Sequence, residues 1–353
     1  MVEALISRLL VFLTRLRRDS LMRRVYHWIE TSLLTAVPLI GKWTMNAPSP
    51  VAEPEHYRYR VLMGALSRLS LIQTVRMWSI PAEVQRLEQI TQAWAGPSTR
   101  MGQLAQSDAG VQDTIAISEV PQALHTRLQD IASDQLFQAS YSGLPTAFAV
   151  VEIDKLVAPQ RDVNLDYVDE IRARIPGSTV EQLLEFCVGP RPNAPEWKAL
   201  QTAPNHVIFT SKSLDLRFLG GYRKPLLDSD ISVAHGGGQP VEAIVLLVGY
   251  GSAPVNVYRV GNRAILWNGF HRVIAMRMEG ITHIPVVLQT VAQPDIEFPN
   301  DYLGLPRSYL VGDPRPVLIK DFFDAQMIIE LRMTPRRKTV KLMWGQEDSI
   351  IPV

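Results

Sequence analysis

The sequence predicts an α+β protein: a helical N-terminal region followed by an α/β domain. Three observations carry this. Apolar residues recur at helical spacing through most of the first 140 positions. From Gly143-Leu144-Pro145 onward, short β-branched runs alternate with helical patterns. The chain has 353 residues, of which 46% are hydrophobic and 20% charged, a globular balance with room for about two domains. The segments expected are 1–45, an amphipathic helix; 46–142, a helical region; 143–295, the α/β domain with an insertion at about 173–240; and 296–353, a C-terminal extension with a β-hairpin.

In residues 1–45, Leu5, Leu9, Phe12, Leu13 and Leu16 fall on one helical face, and Val25, Trp28, Ile29 and Leu33 continue it. Arg8, Arg15, Arg17, Arg18, Arg23 and Arg24 lie between them. Such a helix packs on its own chain, docks on a partner protein, or lies on an anionic membrane; the first is the expectation adopted. The arginines break every apolar stretch before it reaches membrane-spanning length, and no small-residue cleavage site follows, so neither a transmembrane segment nor a secretory leader is expected. Asn46 to Pro54 is a Pro-rich spacer. Helices are expected at about 55–77, 81–95 and 119–139, with Gly96-Pro97 stopping the second.

Thr146–Ile153 reads as a strand, and helical patterns follow at about 164–175 and 179–187. His206–Thr210 and Ala243–Val248 read as buried strands. Val255–Val260 and Ala264–Trp267 form a hairpin across Gly261-Asn262. A helix over Phe270–Glu279 stops at Gly280, and Ile284–Gln289 is a further strand.

Composition excludes several classes. With 36 Lys and Arg against 35 Asp and Glu, the net charge is +1, so no global field draws the chain to nucleic acid or membrane. Cys187 is the single cysteine, which excludes an internal disulfide framework and fits a cytoplasmic setting. Cys187 sits in a helical apolar pattern and reads as a small core residue. Seven histidines are scattered without an H-E-x-x-H pair, so no metal site built from protein ligands is expected. His235-Gly236-Gly237-Gly238 lacks the G-x-S-x-G elbow that a hydrolase would need and reads as a loop. The stretch Ser213–Pro225, with Asp215, Arg217, Arg223 and Lys224, reads as a salt-bridged turn. Arg332, Arg336, Arg337, Lys338 and Lys341 read as the charged tip of a hairpin around Pro335.

The strongest chemical signal is a strand that ends at Asn268-Gly269 and feeds a helix beginning near His271. Free N–H groups at a helix start, a glycine allowing close approach, and the adjoining His271 and Arg272 suit a phosphate. Gly269-Phe270-His271-Arg272-Val273-Ile274-Ala275 fits the G-x-x-R-x-x-A signature of the ParB/sulfiredoxin-like fold. The following Gly280-Ile281-Thr282-His283-Ile284-Pro285-Val286 is similar to that family's continuation. Val151–Arg161 and Asp166–Ile171 resemble its opening strand, loop and first helix.

The resemblance implies a site made of Gln160, Arg161, Asn268, Gly269, His271 and Arg272, binding a nucleoside triphosphate (CTP or ATP) with Mg²⁺ or another phosphorylated ligand. Binding would drive a conformational switch or support phosphoryl transfer. Phe270 stands where sulfiredoxins carry their cysteine, and no recognition-helix pattern follows as it does in partition proteins. Some relatives of the fold are free-serine kinases; here Glu152 or Asp162 would supply the base they need. The alternative expectation is a DNA-associated or mobile-element accessory protein whose helical region recruits a partner.

Overall fold

A computed structural model describes residues 54–190, 195–227, 230, 239–251 and 253–351. The expected helix at 1–45 and the glycines at 236–238 lie outside the described residues. All described residues belong to one unit, Pro54–Val353, of mixed α and β structure.

The first element departs from expectation. Tyr57–Leu62 is a strand, β1, where a helix was expected. Its YRYRVL pattern alternates, putting Tyr59 and Val61 into the core while Arg58 pairs with Asp166 and Arg60 with Glu330. The helical spacing holds only from Arg68 to Trp78 (α1), where Ser67 caps the start by accepting from the Ser70 N–H at 3.0 Å. α2 (Pro81–Gln85), α3 (Leu87–Ala93) and α4 (Ala95–Ser107) follow. Gly96-Pro97 therefore opens a helix instead of ending one. A proline in the first turn loses no intrahelical bond, because those N–H groups have no partner anyway. The expected helix over 119–139 is a short strand, β2 (Ile117–Glu119), then α5 (His125–Ser133) and α6 (Gln135–Tyr141), separated by the capping Asp134.

Next come β3 (Thr146–Glu152), β4 (Asp162–Asn164), α7 (Leu165–Arg172) and α8 (Val180–Val188). The strands β5 (Trp197–Ala203), β6 (His206–Ser211), β7 (Leu216–Lys224) and β8 (Ala243–Tyr250) follow. The chain then forms β9 (Asn256–Val260), β10 (Arg263–Asn268), α9 (Phe270–Met278) and β11 (His283–Val291). It finishes with α10 (Pro294–Glu297), β12 (Asp301–Tyr302), β13 (Leu305–Pro306), α11 (Arg307–Gly312), β14 (Ile328–Met333) and β15 (Lys338–Met343).

The main sheet has the order β10-β9-β11-β3-β2. β3 and β11, more than 130 residues apart in sequence, are antiparallel neighbours, with Val150 opposite Pro285. β9 and β10 form the expected hairpin, and Gly261 takes a positive φ of 59° in its turn. β11 is buried along nearly its whole length, and Val286 and Val287 join Leu183 of α8, Val273 of α9 and Val168 of α7 in one core.

A second sheet, β14-β1-β4, takes one strand from each of three expected segments, so the boundaries at 142 and 295 run through a single sheet. The C-terminal strands also differ from expectation: β14 pairs with β1 and β15 with β6, so they form no hairpin with each other. β6 and β8 were expected to be buried. β6 is only half-buried, and β8 leaves Ile244, Leu246 and Leu247 exposed with no residue buried, because their sheets hold three strands and two strands respectively. No helix among the described residues is long and apolar enough to cross a membrane.

Candidate functional site

The backbone brings the two expected pieces of the site to one end of the main sheet. After β3 the chain turns and runs beside β10. Val157 bridges Ile265 in parallel, donating to the Ala264 carbonyl at 2.9 Å and accepting from the Leu266 N–H at 3.0 Å. Gln160-Arg161 lie three and four residues beyond Val157, and Asn268-Gly269 three and four beyond Ile265, along that parallel pairing. β4 then seals the contact: the Asn164 N–H donates to Nε2 of His271 at 3.4 Å. The Asn164 side chain caps α7, accepting from the Tyr167 N–H at 3.1 Å, and Tyr167 meets the His271 ring edge-on at 5.2 Å.

Each expected residue has a definite place. Gly269 has a φ of 92°, and a Cβ there would lie 2.9 Å from Val255 Cγ2, so both backbone and space require glycine. It caps α9 without any side-chain cap bond, so the first N–H groups of α9 lack that partner. Asn268 turns aside and donates to the Pro254 carbonyl at 3.1 Å.

Arg272 is engaged by backbone carbonyls of α8 and of the segment before β9. Its guanidinium donates to the carbonyls of Phe186 (3.1 Å), Cys187 (3.5 Å) and Ala253, tying α9 to the end of α8 and to the start of the β9 segment. His271 is held down to about 4 by burial. It is neutral near pH 7 and accepts at Nε2, so it is not poised as a proton donor there.

On the opening loop, Gln160 and Arg161 are half-buried and make no hydrogen bond or ion pair to His271 or Arg272 among the described residues. Arg161 donates to the carbonyls of Ala158 (3.1 Å) and Gln160 (3.3 Å) and stands 5.1 Å over the Tyr309 ring. Burial pulls its guanidinium down from the usual arginine range, and no carboxylate of the described residues lies within 4.0 Å of it.

Of the two expected base candidates, Glu152 is taken up by Lys155 at 3.1 Å and by the Ala116 N–H. Asp162 is the perturbed one: burial raises its carboxyl, and Arg336 at 3.6 Å pulls it back. Cys187 is fully buried 3.6 Å from Met276 Sδ, and burial pushes its thiol up to about 12, which suits a core residue and not a nucleophile.

The residues that sequence reasoning missed are Asn164, Tyr309 and the role of Arg336. Arg336 was visible only as one of a basic group, and the structure disperses that group. Arg332 pairs with Glu83 at 3.1 Å, and Arg336 is buried between two rings. The charges at Ser213–Pro225 are paired within the ribbon, Arg217 with Asp215 and Arg223 with Glu242. Among the described residues no three His, Cys, Asp or Glu side chains gather as a metal site. Compared with known proteins, the chain matches no protein-family model, no curated protein and no solved structure.

Proposed function

We propose that the face formed by Gln160–Asn164 and the Gly269–His271 turn binds the phosphate groups of a nucleotide or another phosphorylated ligand, as the resemblance to the ParB/sulfiredoxin-like fold implies. The observation that carries this reading is Arg161. It is a desolvated cation whose partners are carbonyls and Tyr309, with Asp321 acting on it only from beyond 4.0 Å, on the loop that Val157 and Asn164 fix to the β10–α9 turn. A partly desolvated guanidinium with no carboxylate in direct contact is costly, and an anion beside it relieves that cost. The α9 N-terminus, capped by Gly269 with no side-chain cap bond, adds partial positive charge.

The geometry favours a division of labour different from the one the motif implies. Arg161 contacts phosphate, while Arg272, committed to carbonyls, holds the turn in shape. Neutral His271 fixes the Asn164 strand. CTP or ATP with Mg²⁺ fits the donor set, the cation entering with the phosphates. The reading favours a conformational switch over phosphoryl transfer, and Asp162 is the carboxylate that transfer would use.

The test is isothermal titration and thermal shift of the full chain with CTP, ATP and ADP, each with Mg²⁺. Binding by at least one nucleotide is expected, and Arg161→Ala should weaken it about ten- to a hundredfold, the loss of one charge-assisted bond. Unchanged affinity in a folded Arg161→Ala variant would refute the site. A salt-sensitive DNA complex without any nucleotide binding would instead favour the DNA-associated alternative.

A further inference from the structure

Arg336 lies in the connection between β14 and β15. By sequence it is one of five basic residues in that stretch, yet its surroundings are unlike those of a solvated tip. Its guanidinium carbon stands 4.7 Å over the Tyr59 ring and 4.5 Å over the Trp78 ring, within stacking reach of both. Its side chain keeps 16% of its exposure. Stacking occupies the faces of a guanidinium and leaves its in-plane N–H groups to be satisfied at the edges.

Those edges are sparsely met. Nη2 donates to Met333 Sδ at 2.8 Å, a weak acceptor, and Nε is buried with no acceptor among the described residues. Nη1 faces Asp162 Oδ2 at 3.6 Å, longer than a hydrogen bond. Two rings from β1 and α1 therefore aim a desolvated cation at one carboxylate of β4.

Asp162 is fixed in turn by its strand. It sits opposite Val61 on β1, and Asn164, two residues on, sits opposite Tyr59. Tyr59 and Arg336 are the charged or titratable groups that act on one another around this carboxyl: Arg336 draws the Tyr59 phenol down, Asp162 draws it up, and burial of Tyr59 exceeds both.

We propose that Arg336 is a positioning residue: clamped between Tyr59 and Trp78, it sets the orientation and charge of Asp162 and so holds the strand that presents Asn164 to His271. This rests on the reading of that strand as part of a ligand site, but its test needs no ligand. The Asp162 side chain keeps 34% of its exposure, and Arg336 is the one cation of the described residues within 4.0 Å of it, its charge opposing the partial burial that raises the carboxyl. Without Arg336, desolvation acts on it unopposed. Arg336 touches no ligand in this account and acts through Asp162.

The experiment is a carbon-13 titration of the aspartate carboxyls in the full-length chain, with the Asp162 resonance assigned by its loss in Asp162→Asn. Arg336→Gln should move the Asp162 midpoint upward by roughly one unit or more, the size of a lost neighbouring charge. Arg336→Lys, which keeps the charge without the flat stack, should recover part of that shift. Trp78→Leu, which removes one stacking face and keeps the charge, should give an intermediate shift. An Asp162 midpoint that stays put in folded Arg336→Gln overturns the proposal. If that variant does not fold, a midpoint unmoved in both Arg336→Lys and Trp78→Leu overturns it equally. Nucleotide titration runs alongside: a shifted midpoint with no nucleotide bound removes the proposed function and leaves the Arg336–Asp162 coupling standing, whereas binding with an unmoved midpoint does the reverse.

Discussion

β11 and β8 are nearly the same by sequence and opposite in the fold. HIPVVLQTV and AIVLLVGY are both short, apolar and rich in β-branched residues. β11 lies between β9 and β3, and its Ile284, Val286 and Val287 are fully buried. Among the described residues β8 has β7 as its one strand neighbour, and Ile244 is 75% exposed and Leu247 44%. The difference teaches that an apolar run specifies a strand but not its burial. Burial depends on how many elements arrive on either side, and two-stranded ribbons bring few. The candidate site stands on the buried region, with α9 rising directly between β10 and β11, while the exposed ribbon lies in the chain stretch before it.

The contrast can be tested from its strongest term downward. Ile284→Ala should cost about 2–5 kcal/mol of stability in chemical denaturation, since it deletes buried volume that cannot collapse away. A cost below about 1 kcal/mol would show the main sheet to be no better packed than the ribbon.

The next effect is pH-dependent. His271 is held to about 4 in the fold, against about 6.5 for an exposed imidazole. The unfolded chain therefore takes up a proton between these values and the folded chain does not. Stability should fall as pH drops through this window, by up to about 3 kcal/mol near pH 4, and be constant above it. His271→Gln should flatten that part of the profile. An unchanged slope in a folded variant would mean that His271 is not the group responsible.

Arg272→Ala should cost about 1–3 kcal/mol, because the carbonyls of Phe186, Cys187 and Ala253 lose a charged donor. It should leave the intrinsic nucleotide affinity of the folded protein within a fewfold. A large loss of affinity with stability intact would restore Arg272 as the phosphate contact.

The smallest effect belongs to the ribbon. Leu247→Ala should change stability by no more than about 0.5 kcal/mol, as for an exposed position. A cost approaching that of Ile284→Ala would show that β8 is covered in solution.

Much of this could be read from the chain. The Gly261-Asn262 hairpin, the helix from Phe270 stopped at Gly280, and the strands at 146–152 and 283–291 follow from local pattern and turn chemistry, which short-range sterics enforce. Gly269 was legible as a residue needing special backbone, and it has it. The burial of Cys187 in the core was legible from its apolar helical setting.

What only the tertiary structure decided is where the ends of long polar side chains go. Arg161, Arg272 and Arg336 are alike as letters. One meets loop carbonyls beside Tyr309, one ties two helices together, and one lies between two aromatic rings facing Asp162. Their stems span several ångströms, and their partners come from strands and loops far away in sequence. Period and propensity act over a few residues and cannot rank such contacts. The same reason made β1 illegible: YRYRVL becomes a strand because β4 and β14, about 100 and 270 residues away, supply the hydrogen bonds on its two edges.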